Sequence, residues 1–184
     1  MFTNFGPPIK VDKETIFDVN IKIAANVKIE PGVIIYDDCE IGNDTILATG
    51  CILKSGTKIG EHSIFGTLSM CEGDTTIGSW TTIHAQCHVT NGMKIGNNVF
   101  IGPLFYSANT PKISTGKFGY PNSSNDPRKS PMIEDGVRIG ENVGIAPGVR
   151  IGKNSLIDMG CLLTRDIPPD SHVRAGKEII GRVI

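Results

Sequence analysis

"KIEPGVIIYDDCEIGNDTIL", residues 28–47, puts an aliphatic side chain at every sixth position: Ile29, Ile35, Ile41 and Leu47. Neither the 3.6-residue step of a helix nor the two-residue alternation of an ordinary strand produces that spacing. The same step runs outward in both directions. Backward it meets Ile23, Phe17, Val11 and Phe5; forward it meets Leu53, Ile59, Phe65, Cys71, Ile77, Ile83, Val89, Ile95 and Ile101, seventeen units without an insertion. After a break it resumes at Ile133 and continues through Ile139, Ile145, Ile151, Ile157 and Leu163. Four positions after each beat the residue is small or apolar, as in Thr45, Ser63, Val99 and Val143, and glycine often follows the beat directly, as in Gly42, Gly60, Gly78, Gly96, Gly140 and Gly152.

A six-residue period predicts a short strand and a corner, repeated. Three units close a triangular coil, and coils stack at the strand spacing of roughly 4.8 Å. The 23 units amount to somewhat under eight coils. The pattern [LIV]-G-x-x-[STAV]-x resembles that of the hexapeptide-repeat proteins over about residues 5–168. The resemblance implies an all-β fold, a left-handed parallel β-helix in a single domain spanning 1–184, with one extended loop (about 107–132) and a short C-terminal tail (169–184).

The 184 residues suffice for one domain with a core, and a formal net charge of −1 gives no reason to expect nucleic acid or an anionic membrane as partner. No apolar run is long enough for a transmembrane segment, and Met1-Phe2-Thr3-Asn4 lacks the features of a signal peptide, so the cytoplasm is expected. Cys39, Cys51, Cys87 and Cys161 fall in the inward slot four after the beat, and Cys71 on a beat, which reads as small core residues. No Walker-type or dinucleotide-binding glycine pattern occurs.

Outward residues preceding each beat sort into three faces. The first reads Lys22, Glu40, Lys58, Thr76, Lys94; the second Lys28, Ile46, Ile64, Thr82, Phe100; the third Ile16, Ile34, Ile52, Met70, His88, Tyr106. One face is solvated and two are apolar, which suits a cyclic homotrimer in which each copy uses both sticky faces. The resemblance points to the same assembly, with active sites in clefts between subunits.

The break, "SANTPKISTGKFGYPNSSNDPRKSPM" at 107–132, is rich in Gly, Pro, Ser and Asn. A connection this long inside a regular fold is seldom idle. The flanks "IGNNVFIGP" and "PMIEDGVRIGENVGIAPGVRIGKNSLIDMGCLLTRDIPP" resemble the acyltransferase branch of the family, where an excursion here helps to wall the active site. Galactoside-type O-acetyltransferases carry a Gly-His-Pro histidine at this place; here stands Asn109-Thr110-Pro111. Nucleotide-linked amino-sugar N-acetyltransferases read "IGPxxxFTN" and then Asn-Pro-Arg, which "IGPLFYSAN" and "NDPRK" resemble, with Asn109 on the family asparagine.

The resemblance implies acetyl transfer from acetyl-CoA to a sugar, with the amine of a nucleotide-linked sugar as acceptor and no metal. A sugar amine can lose its proton before attack, whereas a hydroxyl needs a base in the transition state. Without a loop histidine, Asn109 is the expected orienting group for an amine. His84 and His88 flank the corner between the two apolar faces, and His84 is the candidate base for an alternative O-acetyl transfer. Tyr106, His88, Lys112, Arg128 and Lys129 are the candidate acceptor-binding residues. For coenzyme A the resemblance implies a groove along the C-terminal coils: Gly144, Ala146 and Gly160 for close approach of the arm, Thr164 beside it, and Arg165, Arg174, Lys177 and Arg182 for its phosphates. Two rivals come from other classes. One is a gamma-class carbonic anhydrase-like zinc protein using His62, His84 and His88, whose spacing of 22 then 4 misses that family's two-coil separation. The other is a non-catalytic trimeric scaffold.

Overall fold

A computed structural model describes residues 10–11, 16–111 and 128–176. Every regular element among them is a two-residue β-strand, from β1 (Lys10–Val11) and β2 (Ile16–Phe17) to β24 (His172–Val173). The strands pair in parallel, each with the one three places on in the chain except that β22 (Leu156–Ile157) pairs with β24, and form three sheets of nine, eight and seven strands. Register advances by 18 residues per coil, as in Ile46↔Ile64↔Thr82. The architecture is the three-sided coil expected from the six-residue period, in the left-handed parallel β-helix form that the resemblance implies. The three sheets are the three faces, visited in the order first, second, third.

The core is a single column of the beat residues and the residues four positions beyond them, with Phe65, Ile83, Phe105 and Ile151 among its fully buried members. Hydroxyls fit that column because each finds a carbonyl in the next coil. Thr45 Oγ1 donates to the Gly60 carbonyl at 2.8 Å, Ser63 Oγ to Gly78 at 2.9 Å and Thr81 Oγ1 to Gly96 at 2.8 Å. Each hydroxyl also lies within reach of the backbone N–H one coil further on, as Ser63 Oγ does for Thr81 N at 3.1 Å. All five cysteines are buried and free, and burial pushes the Cys39 thiol up to about 11 and Cys51 up to about 12. None is poised as a nucleophile.

The first face carries an exposed ladder in which Lys22 and Lys58 both meet the Glu40 carboxylate, at 3.3 and 3.0 Å. On the other faces Ile64, Phe100, Tyr106 and Leu162 lie exposed. The beat continues one step further than its aliphatic residues do. Tyr106–Ser107 (β17) is a strand of the third sheet, and Ser107 fills the inward slot with a hydroxyl that accepts the Thr90 N–H at 3.0 Å. Met132–Ile133 (β18) is equally regular, so the excursion's outermost residues, 107 and 132, belong to the coil. The C-terminal tail also begins later than its composition suggests. After Leu163 the chain takes a shortened corner to Ile167, which bridges Ile151, and then adds His172–Val173 to the second sheet beside Leu156–Ile157.

Candidate acyl-transfer site

The excursion leaves and returns at the corner between the third and first faces. Its two stems are joined there: the Lys129 N–H donates to the Asn109 carbonyl at 2.8 Å. Both stems also hang on one acceptor, the Asn91 carbonyl, which receives Asn109 Nδ2 at 3.3 Å and Ser130 Oγ at 2.7 Å. Asn109 is only 7% exposed, and its Oδ1 accepts the Thr110 hydroxyl at 3.1 Å. Its side chain latches the base of the excursion. Lys129 packs over Gly148, where the backbone runs at φ 76°, and Arg128 beside it is exposed. Lys112, Lys177 and Arg182 lie outside the described residues.

Two coils before the excursion, the same corner holds a carboxylate that no motif marks. Glu72 Oε1 lies 3.1 Å from His88 Nε2, while its Oε2 accepts the Thr90 hydroxyl at 3.0 Å and the Asn91 N–H at 3.2 Å. Burial pushes the Glu72 carboxyl up, but the Asn91 N–H, the Thr90 hydroxyl and His88 outweigh it and hold it below its ordinary value. Ser107 Oγ donates to the His88 carbonyl at 3.2 Å. A continuous polar network thus ties the imidazole to both stems of the excursion. The signal for Glu72 was present but oblique: it stands two residues beyond Met70, which pairs with His88. Diagonal pairs of this kind recur, as in Glu134–Arg150 and Asp158–His172.

The structure separates the two histidines that flank the corner between the second and third faces. His84 is exposed in a column of glycines, Gly66 below and Gly102 above, and its ring meets Phe100 of the second face edge-on at 5.2 Å. His88 leans the other way, toward Glu72 and the excursion. The remaining histidines have partners of their own: His62 is exposed and His172 half-buried. His62 stacks on Trp80 with ring centroids 4.1 Å apart, and His172 Nε2 lies 2.8 Å from the Asp158 carboxylate. Among the described residues no three of His, Cys, Asp and Glu converge as metal ligands would.

Tyr106 pairs directly with His88 on one side and with Gly144 on the other. Gly144 pairs in turn with Leu162, and the Ala146 N–H donates to the Leu163 carbonyl, so both small residues lie on the last coils of the third face. Gly160 enters that face from one edge at φ 72°, with nothing within 4 Å of the place a side chain would take. Thr164 and Arg165 leave it by the other edge, exposed. Arg174 lines a hollow of about 420 Å³ with Asp158, Met159 and Ala175, next to Gly160. Of the residues assigned to a long phosphorylated thiol, Gly144, Ala146, Gly160, Thr164 and Arg165 therefore lie on or beside the last coils of the third face, with Arg174 at the corner next to Gly160. That arrangement fits a thin arm ending in phosphates.

The family model described as "Bacterial transferase hexapeptide (six repeats)" matches residues 20–55 and 130–165. The bifunctional protein GlmU of Thermotoga maritima is 31% identical over 157 residues, which is 83% of this chain and 31% of the relative. That of Geotalea uraniireducens is 29% identical over 89% of this chain and 37% of its own length. The chain thus spans about a third of the length of the curated relatives it matches. A hexapeptide-repeat-containing acetyltransferase of Vibrio cholerae O1 biovar eltor, solved in complex with acetyl coenzyme A, is 27% identical and superposes with a TM-score of 0.59 over 68% of this chain and 70% of its own. LpxA of Bacteroides fragilis, a UDP-N-acetylglucosamine acyltransferase, shares the fold at 18% identity, with a TM-score of 0.70 over 97% of this chain and 74% of its own. Among the described residues no helix is long and apolar enough to cross a membrane. Repeat, coil and family model agree: the chain is built of bacterial transferase hexapeptide repeats.

Proposed function

We propose that this chain is an acetyltransferase that moves an acetyl group from acetyl-CoA to the amine of a nucleotide-linked sugar. The observation that carries the reading is the joining of the coil's one excursion, through Asn91 and Asn109, to a carboxylate-backed imidazole. The likeness to a Vibrio acetyltransferase solved with acetyl-CoA supports the donor. Supplying acetyl as a thioester makes the carbonyl reactive and gives a stable leaving thiolate. His88 takes the proton released by the attacking nitrogen as the C–N bond forms, and returns it to the departing sulfur as the C–S bond breaks. Glu72 stabilises the imidazolium in between. Asn109 is a positioning residue, acting through Asn91 and the stems. Arg128, Lys129 and Lys112 are offered to the acceptor's phosphates, and Arg165, Arg174, Lys177 and Arg182 to those of coenzyme A, with Thr164 beside the arm. Coenzyme A and nucleotide-linked sugars place such a chain in the cytoplasm.

A thiol-release assay with acetyl-CoA and a panel of nucleotide-linked amino sugars tests the reading. Free thiol should appear only when an amine acceptor is present. No release with any acceptor, together with no heat on titrating coenzyme A, would leave a non-catalytic scaffold. A second reading, a hydroxyl acceptor with His84 as base, is favoured by the exposure of that imidazole between two glycines. It predicts turnover of the matching hydroxy sugar and its loss in His84→Ala.

The active unit we propose is a trimer, because Ile64, Phe100 and Tyr106 leave two faces with exposed apolar residues. Light scattering should return three times the chain mass of 19.7 kDa. A single-chain mass at micromolar concentration would show that those faces are left to water.

A further inference from the structure

We infer that Tyr106 confines the transferred acyl group to a short one, an inference that rests on the acetyl-transfer reading above. Along the third face the outward positions run, coil by coil, Met70, His88, Tyr106, Gly144, Leu162. Gly144 alone in that series has no side chain, and the ring of Tyr106 fills the space. A methyl group on Gly144 would stand 2.5 Å from Cε2 and Cζ of Tyr106 and 2.7 Å from its hydroxyl. Gly144 is buried in consequence, on a face whose neighbouring outward residues are open: Tyr106 is 47% exposed and Leu162 64%. The ring has therefore been laid along the coil axis toward the C-terminal end, across one strand spacing.

That spacing is where the reacting carbon must come. The base, His88, lies one coil before Tyr106, and the residues fitted to the thioester arm begin one coil after it with Gly144 and continue a coil further with Gly160 and Arg165. His88 and Gly144 stand two strand spacings apart, roughly 10 Å, with Tyr106 between them and its ring laid over Gly144. An acetyl methyl needs little room beside the ring edge, whereas each added methylene competes with the phenol for the same volume. One methylene in or out of a fitted pocket changes relative turnover by about 10- to 200-fold. The hydroxyl has no part in this exclusion, so the ring and not the O–H carries it.

The test is a donor panel: acetyl-, propionyl-, butyryl- and hexanoyl-CoA with one amine acceptor, assayed by thiol release on the full chain, on Tyr106→Ala and on Tyr106→Phe. Wild type should lose about tenfold or more in kcat/KM between acetyl and butyryl. Tyr106→Phe should keep that ratio, and Tyr106→Ala should bring butyryl to within a few-fold of acetyl. Wild type that uses butyryl as well as acetyl overturns the inference. So does Tyr106→Ala that depresses all four donors alike, since that outcome makes Tyr106 a general support of the site. No turnover by wild type with any donor and any acceptor defeats the acetyl-transfer reading itself and this inference with it.

Discussion

Replacing His88 with alanine should lower kcat for acetyl transfer about 10²- to 10⁴-fold, the range expected when a positioned general base is removed. KM for acetyl-CoA should change little, because the imidazole leans toward Glu72 and the excursion, away from the C-terminal coils. Added imidazole should restore part of the rate. Glu72→Gln keeps the shape of the side chain but replaces a charge-assisted hydrogen bond worth about 1.5–3 kcal/mol, so a loss of about 10- to 100-fold is expected, carried mainly by kcat. His84→Ala is the discriminating control. If it abolishes turnover and His88→Ala does not, the assignment of the base is wrong. Acid behaviour follows from the same corner. Glu72 is held below its ordinary value in the fold, so its contribution to stability is complete above the unfolded-state value, near 4.3, and is lost only as pH falls through the lowered folded one. The site should therefore keep its charged carboxylate throughout the range in which activity is measured.

Gly78→Ala should be among the most damaging single-methyl changes in the chain. The methyl would stand 2.5 Å from the carbonyl carbon and oxygen of Gly96 and 2.7 Å from the Asn97 nitrogen, all of them backbone of the next coil. No side chain can turn aside there, so the two coils must part. Overpacking of this kind costs about 3 kcal/mol, which lowers Tm by roughly 6–12 °C in a chain of this size. Gly160→Ala supplies the contrast. It faces open space at φ 72°, so its cost is only the left-handed backbone penalty of roughly 1–2 kcal/mol. Equal melting temperatures for the two variants would show that coils yield to a methyl more easily than their spacing implies.

The fold was legible because a stacked coil repeats its packing problem every six residues. Ile29, Ile35, Ile41 and Leu47 each answer the same demand for an inward aliphatic group, and Gly42, Gly60 and Gly78 the same demand for close backbone approach. The polarity of the three faces followed from that register, as did the burial of the cysteines. The ends of the pattern were less legible. Ser107 keeps the beat with a hydroxyl because Thr90 N–H and the His88 carbonyl satisfy it, and no hydropathy rule anticipates that exchange. The short corner before Ile167 hid the last strand in a stretch that reads as a tail.

At the candidate site, the sequence by itself placed His88 beside Tyr106, Tyr106 one coil from the resumed beat, and Asn109 at the foot of the excursion, because 18-residue stacking converts chain distance into neighbourhood. Only the tertiary structure decided where those side chains turn. Asn109 points inward to latch the stems, His88 turns from His84 to Glu72, and the Tyr106 ring lies over Gly144. Periodicity specifies a residue's coil and face to within one position. The direction of its side chain depends on which hydrogen-bond partner or empty space the adjoining coil offers, and that is a property of two coils packed together.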